Sequence, residues 1–331
     1  MDFSNSRRRI LQSATSAAAL SAVPGAGLMA QSAYPNRPIR MVVPYPPGGG
    51  TDVIARIVQP RLIESLGGMQ VVIDNRGGAG GAIGTEAVAK SAPDGYTVLF
   101  TLSSHTINAA MLPKLGFNTE YDFSPVSLVA SLPQILVSNP DYPAKTPQEI
   151  VALAKSKPGS VMFASVGNGT PGHLAGEMMA LNAGVQMIHV PYRGGGPAVT
   201  DVMAGQIGLL WVSIPAAAAF VKSGKLRAIA VSTTKRAAGF PNVPTMAESG
   251  FPGFEVDSWY AMFVPSRTPQ PIIERLHKAA VFACAQADVK EKFLQQGAEA
   301  VGSTPAELDK IVKAEISKWR KLIKEANIKP D

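Results

Sequence analysis

One device occurs twice in this chain. Residues 43–50 read Val-Pro-Tyr-Pro-Pro-Gly-Gly-Gly, followed by Thr51-Asp52-Val53. Residues 190–196 read Val-Pro-Tyr-Arg-Gly-Gly-Gly, followed by Thr200-Asp201-Val202. Each copy follows an apolar, β-branched run and precedes a helical pattern. A strand–glycine-loop–helix unit repeated about 150 residues apart predicts two α/β lobes, each offering one loop to a shared cleft. A chance likeness between two glycine-rich turns is the competing reading.

The rest of the chain alternates in the same way. Strands are expected over 39–45, 71–74, 97–102, 135–138, 161–166, 187–191, 209–213, 226–232 and 261–264. Helices are expected over 52–66, 85–90, 147–156, 173–183, 197–204, 215–223, 271–285, 289–296 and 305–326. Several runs are apolar on both faces, as in a mostly parallel sheet flanked by helices. Thr304-Pro305 with Glu307 marks the start of the last helix. Its lysines, Lys310, Lys313, Lys318 and Lys324, together with Arg320, read as a solvated face.

The ends and the composition narrow the function classes. Ser6-Arg7-Arg8-Arg9 precedes a weakly apolar stretch from Ala14 to Ala30, too short for a membrane span of about 20 residues. The segment reads as an export signal over 1–30, with cleavage expected near Ala30. The arginines fit the twin-arginine route, and a Sec n-region is the alternative. Of the formal net charge of +7, three Arg and one Asp belong to that segment, leaving about +5. The remaining basic residues are scattered, so the aromatic-interleaved basic stripe of a nucleic-acid binder is missing. A mild positive balance favours small anions. The single cysteine, Cys284, excludes an intramolecular disulfide and reads as a buried thiol.

The glycine loops carry the chemistry. A helix N-terminus offers unpaired N–H groups and partial positive charge. Glycines let the backbone approach a ligand closely. Together they cradle a carboxylate or a phosphate. A plain tight turn is the simpler alternative, although three glycines exceed what it needs. A third loop, Gly167-Asn168-Gly169-Thr170-Pro171-Gly172, matches G-x-G-x-x-G, with Arg193 about 20 residues on. That pattern allows an NADP enzyme, but Pro171 intrudes at the helix start and no catalytic constellation accompanies it. Ser165 lacks the nucleophile-elbow pattern, because Phe163 stands where glycine belongs. The four histidines, at 105, 173, 189 and 277, show no H-x-x-x-H pairing for zinc. His189 reads as a core residue, whereas His105 and His173 are candidate ligand contacts. No cofactor, metal or catalytic residue is expected.

These motifs resemble the Bug family (Bordetella uptake gene products), the substrate-binding proteins of tripartite tricarboxylate transport systems. The likeness is carried by Tyr34-Pro-Asn-Arg-Pro-Ile-Arg, Val43-Pro-Tyr-Pro-Pro-Gly-Gly-Gly-Thr-Asp, Asn75-Arg-Gly-Gly-Ala-Gly-Gly and Ala92-Pro-Asp-Gly-Tyr. It continues through Gly167-Asn-Gly-Thr, His173-Leu-Ala-Gly-Glu, His189-Val-Pro-Tyr-Arg-Gly-Gly-Gly-Pro, Gly224-Lys-Leu-Arg-Ala and Pro241-Asn-Val-Pro-Thr. The resemblance implies a two-lobed periplasmic binding protein fold of type II with two hinge crossings, near 130–134 and 258–263. It implies a monomeric periplasmic receptor that closes on a di- or tricarboxylate, an aromatic carboxylate or an acidic amino acid. The receptor hands its solute to a membrane permease. A sensor for a membrane signalling partner is an alternative use of the same fold. The expected division is 31–131 and 261–331 in lobe 1, and 132–260 in lobe 2.

Ligand contacts are expected from Tyr45, Pro46, Gly48, Gly49, Thr51, Asp52, Ser103, His105, Ser165, Asn168, Thr170, His173, Arg193, Gly194 and Ser213. Gly208 and Val212 stand where the family usually has acids. That departure suggests a ligand without a free amine, with Trp211 as a candidate apolar neighbour; core packing is the alternative for Trp211.

Overall fold

The computed structural model describes residues 34–112, 114–325 and 328, and the export signal expected over 1–30 lies outside them. The main compact unit begins at Arg37. Its strands are β1 (Ile39–Val43), β2 (Val71–Asn75), β3 (Thr97–Leu102), β4 (Phe123–Ser138), β5 (Met162–Ser165), β6 (Ile188–Pro191), β7 (Leu209–Ser213), β8 (Arg227–Val231), β9 (Asp257–Pro265) and β10 (Glu299–Ala300). Its helices are α1 (Gly50–Ser65), α2 (Ala82–Ala89), α3 (Ser104–Met111), α4 (Pro147–Ser156), α5 (Pro171–Ala183), α6 (Gly195–Met203), α7 (Ile214–Lys222), α8 (Gln270–Ala285), α9 (Ala287–Gln295) and α10 (Pro305–Glu325).

The strands join in the order β2-β1-β3-β9-β4-β7-β5-β6, with β8 and β10 also pairing with β4. Within each βα half the strands are parallel: β2, β1 and β3 on one side, and β7, β5 and β6 on the other. The two strands that connect the halves run antiparallel to their neighbours. β4 is long enough to serve both sides. It pairs with β9 from Phe123 to Pro133, then with β7 and β8 from Gln134 to Ser138. The result is two α/β lobes that share crossing strands. Strands β1, β3, β5, β6 and β7 each lead at their C-terminal ends into a helix N-terminus, which is where open α/β sheets bind ligands.

Helix ends follow local chemistry. Thr304 and Glu307 form a reciprocal capping box, Glu307 N donating to Thr304 Oγ1 at 3.2 Å and Thr304 N to Glu307 Oε2 at 2.8 Å. α5 begins with proline at its first position and ends at left-handed Gly184, with Val185 N reaching back to Ala180 O. α10 buries Leu308, Val312 and Ile316 in the first-lobe core and Trp319 against the second-lobe core. Its Glu315 accepts the Thr106 hydroxyl at 2.7 Å, tying α10 to α3.

α3 has no counterpart in the sequence expectations. Ser104, His105, Thr106, Ile107, Asn108 and Met111 are all buried, so no polar face marks the period. Cys284 is buried, as expected, and its thiol is pushed up to about 11 by burial. Trp211 is fully buried and stacks on Phe254 at 5.8 Å, which places it in the core and not beside a ligand. Gly208 abuts the Tyr142 ring at the opposite end of β7 from the glycine loops, so an acid there would not enter the cleft. Among the described residues no helix is long and apolar enough to cross a membrane.

Candidate functional site

The two copies of the repeated device face each other. A Cβ built on Gly49 would lie 3.8 Å from Gly195 N. One built on Gly194 would lie 2.7 Å from Pro46 Cδ. Gly50 leaves even less room, since its Cβ would overlap Ser213 Oγ and fall 2.6 Å from the Tyr260 hydroxyl. The N-termini of α1 and α6 therefore converge on one seam, with Ser213 at the start of α7 and Tyr260 on β9 beside them.

Each loop is braced by its own aspartate. Asp52 accepts Gly48 N–H at 2.9 Å, Asn75 Nδ2 at 3.1 Å and Arg56 Nε at 2.9 Å. Burial alone would raise this carboxyl, but the bonds from Arg56, Gly48 and Asn75 outweigh it and hold it below the usual range. In the second copy Asp201 accepts the Tyr192 hydroxyl at 2.6 Å. Burial first, then this carboxylate, pushes the Tyr192 phenol up to about 12. Asp52, expected at the ligand, thus has its carboxylate engaged by Gly48 of its loop, by Arg56 of α1 and by Asn75 of β2.

A cavity of about 220 Å³ opens between the lobes. Tyr45 and the Gly78–Gly81 turn line it from one side, and Val166–Asn168 with Pro191–Arg193 from the other. The Tyr45 hydroxyl donates to Gly80 O at 2.9 Å and also pairs with Ser104 Oγ. Asn108 Nδ2 reaches the same Gly80 carbonyl at 3.1 Å. Gly80 sits at φ 60°, and a side chain there would strike the Asn168 backbone oxygen. Arg193 is the one charged side chain lining the cavity, and among the described residues nothing binds its guanidinium. The Asn168 side-chain oxygen is buried and unpartnered, as are the hydroxyls of Ser103 and Tyr260. Tyr260 lies beside Ser213 and Thr51, and burial keeps both it and Tyr45 as neutral phenols. The arrangement supplies neutral donors, helix N-termini and one cation, which together suit an anion.

The expected site residues fall into four groups. Tyr45, Asn168 and Arg193 line the cavity. Pro46, Gly49, Thr51, Gly194 and Ser213 lie at the seam, and Ser103 precedes α3 with its buried hydroxyl making no cap bond. Gly48, Asp52, Ser165, Thr170 and His173 hold the loops from behind. Ser165 Oγ bonds Gly167 N and O, both at 3.1 Å, and Thr170 Oγ1 donates to Gly167 O at 2.7 Å. His173 is 2% exposed, and its Nδ1 accepts Gly169 N–H at 3.4 Å. His105 lies outside the site. Its ring sits 4.9 Å from Phe123 and 4.7 Å from Phe263, and burial pulls it down to about 3. A side chain opening a buried helix points inward, whatever the loop before it suggests. The Gly78–Gly81 turn, Ser104, Asn108 and Tyr260 were not expected. The glycine run at 77–81 carries the same signal as the two triple-glycine loops.

The chain matches the tripartite tricarboxylate transporter family receptor over residues 54–328. It is 40% identical to Protein BugT of Bordetella pertussis over 298 residues, covering 89% of this chain and 91% of the relative. A solved Rhodopseudomonas palustris protein with adipate shares 33% identity, with a TM-score of 0.87 over 90% of this chain and all of that one. MatC from Rhodopseudomonas palustris with bound malate shares 31%, with a TM-score of 0.84 over 88% of this chain and all of that one. The family and the fold, shared with the solved periplasmic binding protein BugD at 34% identity and a TM-score of 0.86 over 90% of this chain and all of that one, are those of substrate-binding proteins, not enzymes.

Proposed function

Because the chain belongs to the tripartite tricarboxylate transporter receptor family, we propose that it captures a small carboxylate in the periplasm by lobe closure and delivers it to a permease of that system. The observation that carries this reading is the face-to-face placement of the glycine loops at 48–50 and 194–196 beside a cavity whose one charged side chain is Arg193. Two relatives of the same fold were solved with adipate and with malate, both carboxylates.

The ligand carboxylate accepts from glycine-loop N–H groups and from the hydroxyls of Thr51, Ser103, Ser213 and Tyr260. The Asn168 amide and Arg193 complete the grip from the second lobe. Ligand contacts made by both lobes exist only in the closed state, so binding shifts the population toward closure. The pairing switch at Pro133–Gln134 supports a lobe boundary near 131–132. The pairing of Asp257 to Tyr260 with β4 argues for a return crossing nearer 256 than 260. Export by the signal at 1–30, with cleavage near Ala30, and a monomeric receptor complete the reading.

Native mass spectrometry of the protein purified without refolding tests it. The expected result is a co-purified carboxylic acid that denaturation releases, with adipate or malate raising Tm of the stripped protein. A reduced-cofactor signal or substrate turnover would replace the reading with an enzyme.

A further inference from the structure

Behind the Gly167–Thr170 loop lie two histidines that the carboxylate grip does not use. The His173 ring, on α5, stacks on the His189 ring, on β6, with centroids 4.0 Å apart and planes 13° apart. Each holds a different end of the loop. His173 Nδ1 accepts the Gly169 N–H. His189 Nε2 lies 2.7 Å from Ser165 Oγ, the hydroxyl that clamps Gly167 through both its N and its O. The loop they hold faces the other lobe, with Gly169 against the Asn108 side chain and Asn168 against Gly80.

We propose that His173 is a positioning residue that holds the ligand loop only while its ring is neutral, so that acidification loosens the loop and releases ligand. An imidazole nitrogen that accepts a backbone N–H cannot do so once it is protonated, since two donors then face each other. A cation on one ring at 4.0 Å also opposes a cation on the other. Glu177 of α5 faces the pair, its Oε1 3.7 Å from His173 Nε2, where it compensates a proton on His173. His189 faces Phe163 and Ser165 of β5, both neutral, and burial holds its ring down at about 4. A proton on His173 Nδ1 therefore breaks the Gly169 contact, whereas the Ser165 hydroxyl still holds Gly167 through its N and its O.

The affinity arm of this inference rests on the carboxylate reading, whereas the loop arm does not. The experiment follows the Gly169 amide and the histidine rings by NMR, and affinity for adipate and malate by calorimetry, between about pH 5.5 and 7.5. His173→Asn, whose side-chain oxygen can still accept from Gly169, serves as the non-titrating variant and controls for ionisation of the acids. The expected result is a Gly169 amide that shifts together with His173 protonation, and an affinity that weakens about tenfold or more toward the acid end. Both responses should vanish in His173→Asn. A Gly169 amide that stays fixed while His173 titrates would overturn the inference, as would an affinity loss equal in both proteins. If neither acid binds at any pH, these two acids are not its ligands, and the Gly169 amide alone decides the loop switch.

Discussion

Gly49 and Gly195 meet across the cleft backbone to backbone: a Cβ built on Gly195 would lie 3.7 Å from Gly49 Cα. The lobes therefore close through main chain at the seam, and side chains act only around it. That geometry explains why both copies of the repeat keep a glycine run just where a helix begins.

Added bulk at the seam should hold the lobes apart. Gly50→Val places methyl groups where Ser213 Oγ and the Tyr260 hydroxyl now sit. Overpacking of this kind costs about 1–3 kcal/mol, which is roughly a five- to 150-fold loss of affinity. Calorimetry should show the loss, and small-angle scattering should show no compaction on adding ligand. Native affinity in this variant would mean that closure does not use the seam.

Arg193 is the cavity's cation. Arg193→Ala should weaken binding by about 1.5–3 kcal/mol, the worth of a charged hydrogen bond. Arg193→Lys should recover only part of that, because a lysine cannot form the paired guanidinium bonds. Calorimetry at low and high salt separates a contact from long-range attraction, since only the latter fades with screening.

Asp52 acts on the loop and through it on the ligand. Asp52→Ala leaves Gly48 N–H and Asn75 Nδ2 without their carboxylate. The expected cost is about 1–3 kcal/mol of stability, together with weaker binding. Thermal melts with and without ligand check both. Unchanged affinity with lowered Tm would restrict Asp52 to the fold.

Buried neutral histidine makes the fold acid-sensitive. His105 is held at about 3, against an ordinary value of 6.5. Between those values the unfolded chain binds a proton that the native ring refuses, so stability is full above 6.5 and falls as pH drops toward 3. The loss is on the order of 5 kcal/mol at the acid end. His189 adds to it in the same sense. Urea titrations across this range should show a shallower decline for His105→Leu than for the native chain.

Much of this was legible in the sequence, and the misses have physical causes. The strands at 97–102 and 209–213 and the helix at 147–156 were expected at their observed bounds, because periodicity, proline and capping residues agree there. The first half of β4 was missed. Phe123-Ser-Pro-Val-Ser-Leu mixes proline and serine into a strand that tolerates them where its register shifts. α3 was missed because burial on all sides erases its period. At the site, glycine runs located the loops, but no pattern told a serine or histidine in the cleft from one behind it. Ser165, Thr170 and His173 look like ligand contacts in sequence and face their own loop in space. Tyr260 was invisible for the opposite reason, a polar tip on a residue whose surroundings read as core strand.

The most direct test is a crystal structure of the protein with its co-purified or added carboxylate. One carboxylate group is expected within about 2.7–3.1 Å of donors from both lobes, among them loop N–H groups at 48–50 or 194–196 and the Arg193 side chain. A ligand held by one lobe alone, or seated away from those loops, would contradict it.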